Sequence, residues 1–126
     1  LSDKMCKHLA ESGYFESKGE PDEGVVAVMF VVLQRVADEK RWANTVKGVL
    51  RQKAQFSYVW DGRLEKGVVE KKRYKEIVLL AHGVVNGDIL NPVPKANHFH
   101  TTNIKRVWTK NMREVAVIGN HTFFEG

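Results

Sequence analysis

"VVAVMFVVLQRVADE", residues 25–39, decides how the rest of the chain is read. It is apolar on all sides, and its valines would suit a buried strand as well as a helix. Its length favours a helix, and so does what precedes it. Pro21 fits a first helical turn, where its missing N–H costs nothing, and Asp22 and Glu23 complement the positive end of a helix dipole. The expectation is therefore a central buried helix. Upstream, Ser2 and Asp3 can cap a helix with Met5, Cys6, Leu9 and Ala10 on one face, ended by Gly13 or Gly19. Downstream, Asn44 is placed to cap a short helix through "TVKGVLRQ". "AQFSYVWDGR" alternates large and small residues and closes on Asp61-Gly62, which predicts a hairpin in a small antiparallel sheet. From Gly67 to about Val85, Ile77, Val78, Leu80, Ala81, Val84 and Val85 give another amphipathic helix, which Gly87 would terminate. "NGDILNPVPKANH" predicts a loop, and the C-terminal third, without a helical period, predicts strands and loops. The fold class expected is α+β, mainly helical around a buried central helix with a small antiparallel β part, with residues 1–126 as one domain.

Bulk properties bound the function. With 126 residues, 43% hydrophobic and 28% charged, the chain can bury a single core, and neither disorder nor a repeat fits it. The single cysteine, Cys6, excludes an intramolecular disulfide and a thiolate metal cluster. The longest apolar run, Val25 to Leu33, falls far short of the roughly 20 residues that cross a bilayer, so no membrane insertion is expected. "LSDKMCKHLAESG" lacks the basic start and apolar stretch of a signal peptide. A net charge of +5 favours an anionic partner, with nucleic acid, acidic wall polymer and membrane surface all qualifying.

Four carboxylates crowd "GYFESKGEPDEG", residues 13–24, and their surroundings separate them. Glu16 falls near the C-terminal end of the first helix, beside Tyr14 and Phe15. The dipole and apolar shielding there both disfavour its charged form, as a proton-donating acid requires. Glu20, against Pro21, faces the unsatisfied N–H groups of the next helix and reads as a cap or structural anchor. Asp22 and Glu23 read as first-turn residues, and Asp61 as part of its turn.

Taken together, "YFESKGEPDEGVVAVMFVVLQRV", "WANTVKGVLRQKAQFSYVWDG", "NHFH" with a downstream Trp108, and "IGNHTFF" resemble the SleB-type cell wall hydrolases. That family includes spore cortex-lytic enzymes and related bacterial and phage wall-degrading proteins. Its first block runs Y-x-E-A-R-G-E-P-x-E-G, from which this chain departs at Ser17-Lys18. The resemblance implies a lysozyme-like fold. It also implies cleavage of the peptidoglycan glycan strand between N-acetylmuramic acid and N-acetylglucosamine, as a lytic transglycosylase without a cofactor or metal. Glu16 matches the family's catalytic glutamate. The substrate-binding set is Tyr14, Glu20, Gln55, Phe56, Ser57, His98, His100, Trp108 and His121. Gln55 and Ser57 would share one side of the predicted hairpin and hydrogen-bond sugar groups, with Phe56 between them as either core or contact. Trp108 is preferred to Trp60 for stacking on a sugar because its block matches the family, while an unassigned tryptophan is more often buried.

Rival readings stay open at this point. A hydrolytic muramidase would need a second carboxylate or a bound water. His98 and His100 would point the same way in an extended segment, and His121 could complete a zinc site of the wall-amidase kind. Lys66, Lys71, Lys72, Arg73 and Lys75 cluster on one predicted helix, as in a nucleic-acid-binding module, although such runs are usually solvated helix faces. The expected partner is peptidoglycan rather than nucleic acid, met by a monomer acting at the wall. The absence of a leader or wall-binding domain fits a compact phage endolysin or the catalytic domain of a longer protein.

Overall fold

The apolar stretch is helical as far as Ala37 and largely buried. The computed structural model describes residues 2–38, 40–52, 56–102 and 109–126. Helix α1 spans Ser2–Ser17 and α2 Asp22–Ala37, with Pro21 at the N-cap rather than inside the first turn. α3 spans Val46–Arg51, α4 Arg63–Lys66 and α5 Lys71–Val85. Three strands follow, β1 His98–Thr101, β2 Arg113–Ile118 and β3 His121–Glu125, in the antiparallel order β1-β3-β2. Among the described residues no helix is long and apolar enough to cross a membrane.

Two half-cores explain why α2 carries no polar face. Val25, Val26, Met29 and Val32 pack with Leu9 and Tyr14 of α1 and Ile77 and Ala81 of α5. Ala27, Val28 and Val31 turn the other way, onto Val93, Ala96, Ile118 and Phe123. A helix sandwiched between helices and a sheet can be apolar all round without exposing that surface. Its one buried charge, Arg35, donates Nε–H to the Asn97 carbonyl at 2.8 Å, with its guanidinium over the rings of Trp42 and Phe56. Burial, followed by the charge of Arg41, lowers its pKa to about 10.

Gly13 does not end α1. It sits where three helices meet, and a Cβ there would lie 2.9 Å from Met29 Cε, 3.0 Å from Val25 Cγ1 and 3.2 Å from Ile77 Cγ2. The glycine is a contact point, and the helix runs on to Ser17, short of Gly19. Thr45, not Asn44, caps α3, its hydroxyl accepting the Gly48 N–H at 3.0 Å. α5 begins four residues later than its pattern suggests, because Gly67 at φ 83° breaks the chain between α4 and α5. Gly87, at φ 81°, follows its end as expected.

The hairpin expected around Asp61-Gly62 is not formed. Ser57–Val59 make a 3-10 turn, and Arg63–Lys66 make a short helix. The reason is local. Asp61 Oδ1 accepts the N–H of Arg63, two residues on, at 3.1 Å, a side-chain turn that leads into a helix instead of a returning strand. The antiparallel pairing lies instead at the C-terminus, where β2 and β3 are joined through Gly119-Asn120, with Gly119 at φ 58°.

Candidate active site

α1 delivers Glu16 in its last turn, preceded in the chain by two aromatic residues with different tasks. Tyr14 is 2% exposed, and its hydroxyl accepts the backbone N–H groups of Val69 and Glu70 at 3.1 and 2.9 Å, fastening the start of α5. Phe15 stacks on Tyr58 at 5.0 Å between centroids and an interplanar angle of 15°, which locks the 3-10 turn against α1. Arg63 completes the link. It pairs with Asp61 at 2.9 Å, donates Nη2–H to Ser57 Oγ at 3.0 Å and reaches the Phe15 carbonyl with Nη1 at 3.4 Å. The Glu16 carboxyl, partly buried beside this network, is pushed up to a pKa of about 7. Burial is the main cause. Arg63 pulls the value down and Asp61 adds to the rise. Its position in the last turn, among carbonyls without helical partners, acts in the same direction as burial.

Glu20 is an anchor and not a cap. Its Oε1 accepts the Asn120 N–H at 2.6 Å and its Oε2 the Asn120 side-chain amide at 3.1 Å. A Cβ on Gly119 would lie 2.5 Å from Glu20 Oε1, so the turn needs glycine for close approach as well as for its positive φ. No side-chain hydrogen bond caps α2 at Pro21. The carboxylate thus ties the loop between α1 and α2 to the β2-β3 turn. Arg73 holds the same loop from the other side, donating to the carbonyls of Lys18 and Glu20 at 3.0 and 2.9 Å and to Asp22 at 2.8 Å. One member of the basic helix cluster is therefore a loop fastener, while Lys66, Lys71, Lys72 and Lys75 are exposed.

The remaining residues expected in the site divide. Phe56 is 1% exposed and packs near Phe99, so it supports the site from within the core and offers no open face. Ser57 is exposed, but in a 3-10 turn and bonded to Arg63, so the strand alternation that would align it with Gln55 does not apply. Gln55 and Trp108 lie outside the described residues. The histidines do not converge. Strand register pairs His98 with Phe124 and His100 with Thr122, whereas His121 pairs with Thr101, so His121 is on the opposite face of the sheet. Among the described residues, no group of three or more His, Cys, Asp or Glu side chains is arranged to hold a metal.

Each imidazole has its own setting. His98 Nδ1 is 2.7 Å from Asn97 Oδ1, and burial, with Arg35 and Arg41, lowers its pKa to about 4. His100 stacks on Phe124 at 5.0 Å. His121 Nδ1 has no hydrogen-bond partner among the described residues and stands 3.6 Å from Glu20 Oε1, beyond hydrogen-bond reach. Burial lowers the His121 pKa more than Glu20 raises it, so the close approach is not a full ion pair.

A family model described as "Cell Wall Hydrolase" matches residues 19–124. The chain belongs to this family. The cell wall hydrolase match begins just after Glu16, but relatives extend across it. The spore cortex-lytic enzyme of Bacillus subtilis (strain 168) is 33% identical over 126 residues, covering 99% of this chain and 39% of that protein. The spore cortex-lytic enzyme of Bacillus cereus (strain ATCC 14579) is 34% identical over 118 residues, covering 91% of this chain and 42% of that protein. The chain thus spans about two-fifths of the length of these curated relatives. Among solved structures, the catalytic domain of the germination-specific lytic transglycosylase SleB from Bacillus anthracis superposes with a TM-score of 0.79 at 30% identity, covering 99% of this chain and 97% of that one. The catalytic domain of the Bacillus cereus SleB protein gives 0.78 at 29% identity, covering 98% and 91%. The α+β fold expected for a cell wall hydrolase is the fold observed.

Sequence reasoning missed Arg63, Tyr58 and Asn120, and read Arg73 only as part of a basic helix face. Asp61-x-Arg63 carries a local signal, since an aspartate two residues ahead of an N–H forms a side-chain turn. Nothing in the sequence joins Arg63 to Phe15 or Arg73 to Glu20, because those contacts exist only once the helices have packed.

Proposed function

We propose that this chain cleaves the peptidoglycan glycan strand between N-acetylmuramic acid and N-acetylglucosamine as a lytic transglycosylase, with residues 1–126 acting as one catalytic unit and as a monomer. The observation that carries the reading is the Glu16 carboxyl, raised to a pKa of about 7 chiefly by burial beside the Arg63–Asp61 pair. At neutral pH a large share of such a group is protonated, as a general acid must be. Glu16 donates its proton to the glycosidic oxygen as the bond to the muramic anomeric carbon breaks, and the N-acetylglucosamine leaves with a free 4-hydroxyl. The C6 hydroxyl of the same muramic residue then attacks the anomeric carbon. Its proton passes to the Glu16 carboxylate, which restores the acid and leaves a 1,6-anhydro end.

The alternative hydrolytic route needs a second carboxylate free to act as nucleophile or base, or a bound water. Asp61 is the carboxylate whose charge acts on Glu16, and it is engaged by Arg63 Nε through both oxygens, at 3.2 and 2.9 Å, and by the Arg63 N–H. That engagement favours the intramolecular attack. Mass spectrometry of a peptidoglycan digest is expected to give 1,6-anhydromuramic ends, and a digest with only reducing ends would replace transglycosylation by hydrolysis. The names of the relatives place their substrate in the spore cortex. We extend to this chain only the wall glycan itself.

A further inference from the structure

Trp60 is 63% exposed, a large apolar ring left in solvent by a fold that buries its other turn aromatics, Phe56 and Tyr58, to 1%. Trp42, by comparison, is covered by the guanidinium groups of Arg35 and Arg41. The Trp60 N–H donates to the Ser57 carbonyl at 3.0 Å, closing the 3-10 turn. Ser57 and Trp60 thus stand at the two ends of one turn. At its start Ser57 Oγ receives Arg63, whose guanidinium also reaches the Phe15 carbonyl. Arg63 and Asp61 are also the charged groups that act on Glu16. The turn has little freedom, fixed by the Phe15–Tyr58 stack and by Arg63. An exposed indole in the residue before Asp61, whose charge acts on Glu16, is suited to the apolar C–H face of a pyranose ring, for which an aromatic face supplies both contact area and orientation.

We propose that Trp60 is a sugar-stacking platform at the edge of the Glu16 site, holding one N-acetylhexosamine ring of the glycan strand. The proposal rests on the glycan-strand reading above and adds a specificity-determining residue to it. The test compares the wild type, Trp60→Ala and Trp60→Phe on soluble, uncross-linked glycan strands, with kcat and KM determined separately and Tm recorded. Loss of one stacked ring is expected to raise KM about three- to tenfold in Trp60→Ala. kcat and Tm stay at wild-type values, and Trp60→Phe recovers most of the binding. A wild-type KM in Trp60→Ala overturns the proposal while leaving glycan cleavage intact, and so does a Trp60→Phe variant as impaired as the alanine. A drop in Tm matching the loss of activity would assign Trp60 to folding and also overturn it. A wild type that cleaves no glycan strand fails the underlying reading instead, and is told apart by the absence of any product.

Discussion

Glu16 is poorly placed for stability and, in the proposed mechanism, well placed for chemistry. In the unfolded chain its carboxyl has a pKa near the ordinary value of 4.5, and in the folded protein burial raises it to about 7. The folded state therefore binds the proton more tightly. Its stabilising contribution is complete below the lower value and is lost as pH rises through the upper one. Glu16→Gln, neutral at every pH, should raise Tm at pH 8 and leave it nearly unchanged at pH 4. A thermal melt series that shows the same Tm difference at both pH values would contradict the burial account. The same titration predicts that kcat/KM of the wild type falls as pH rises past about 7, as the acid is lost. Gly119 is the second position at which one atom matters. With φ 58° and Glu20 Oε1 only 2.5 Å from where a Cβ would stand, Gly119→Ala should cost about 1–3 kcal/mol in denaturant unfolding.

At the scale of elements, the central helix is legible in the sequence because its proline-led, acidic start and its length agree with helix physics, and both its faces find apolar partners. The short turns are not. Asp61-Gly62 carries a hairpin signature, but the Asp61 side chain competes for the Arg63 N–H, and that local bond favours a helix. Among site residues, Glu16 is legible from its place in a helix and its neighbours. The couplings of Arg63 and Arg73 are not, since they span 48 and 53 residues to Phe15 and Glu20. Trp60 reads in the sequence as a candidate for burial, whereas the structure leaves it exposed at the end of the 3-10 turn. The Arg73 contacts give a direct test at this scale. Arg73→Ala removes two hydrogen bonds to the loop between α1 and α2 and one to Asp22 at the start of α2, and should cost about 2 kcal/mol of unfolding free energy. Arg73→Lys should not restore it, because an ammonium cannot reproduce the planar fork. Full recovery in the lysine variant would show that charge alone suffices.

Across the whole molecule, the helices carry Glu16 on one side of α2, and the sheet on its other side is tied back to the same loop through Glu20 and Asn120. A sheet that turns His98 and His100 away from His121 does not gather the three imidazoles for a zinc-dependent amidase. Wall cleavage should accordingly survive EDTA dialysis undiminished, and loss of activity restored by added zinc would reinstate the metal reading. The net charge of +5 is consistent with an anionic wall and supplies attraction without sequence readout. In the proposed mechanism the acid chemistry depends on Glu16. The most direct measurement is digestion of purified peptidoglycan by the wild type and by Glu16→Gln, with products identified by mass and folding checked by circular dichroism. The wild type should release glycan fragments with 1,6-anhydromuramic ends, and the folded Glu16→Gln protein should release essentially none. Wild-type activity in that variant would contradict the assignment of Glu16 as the acid.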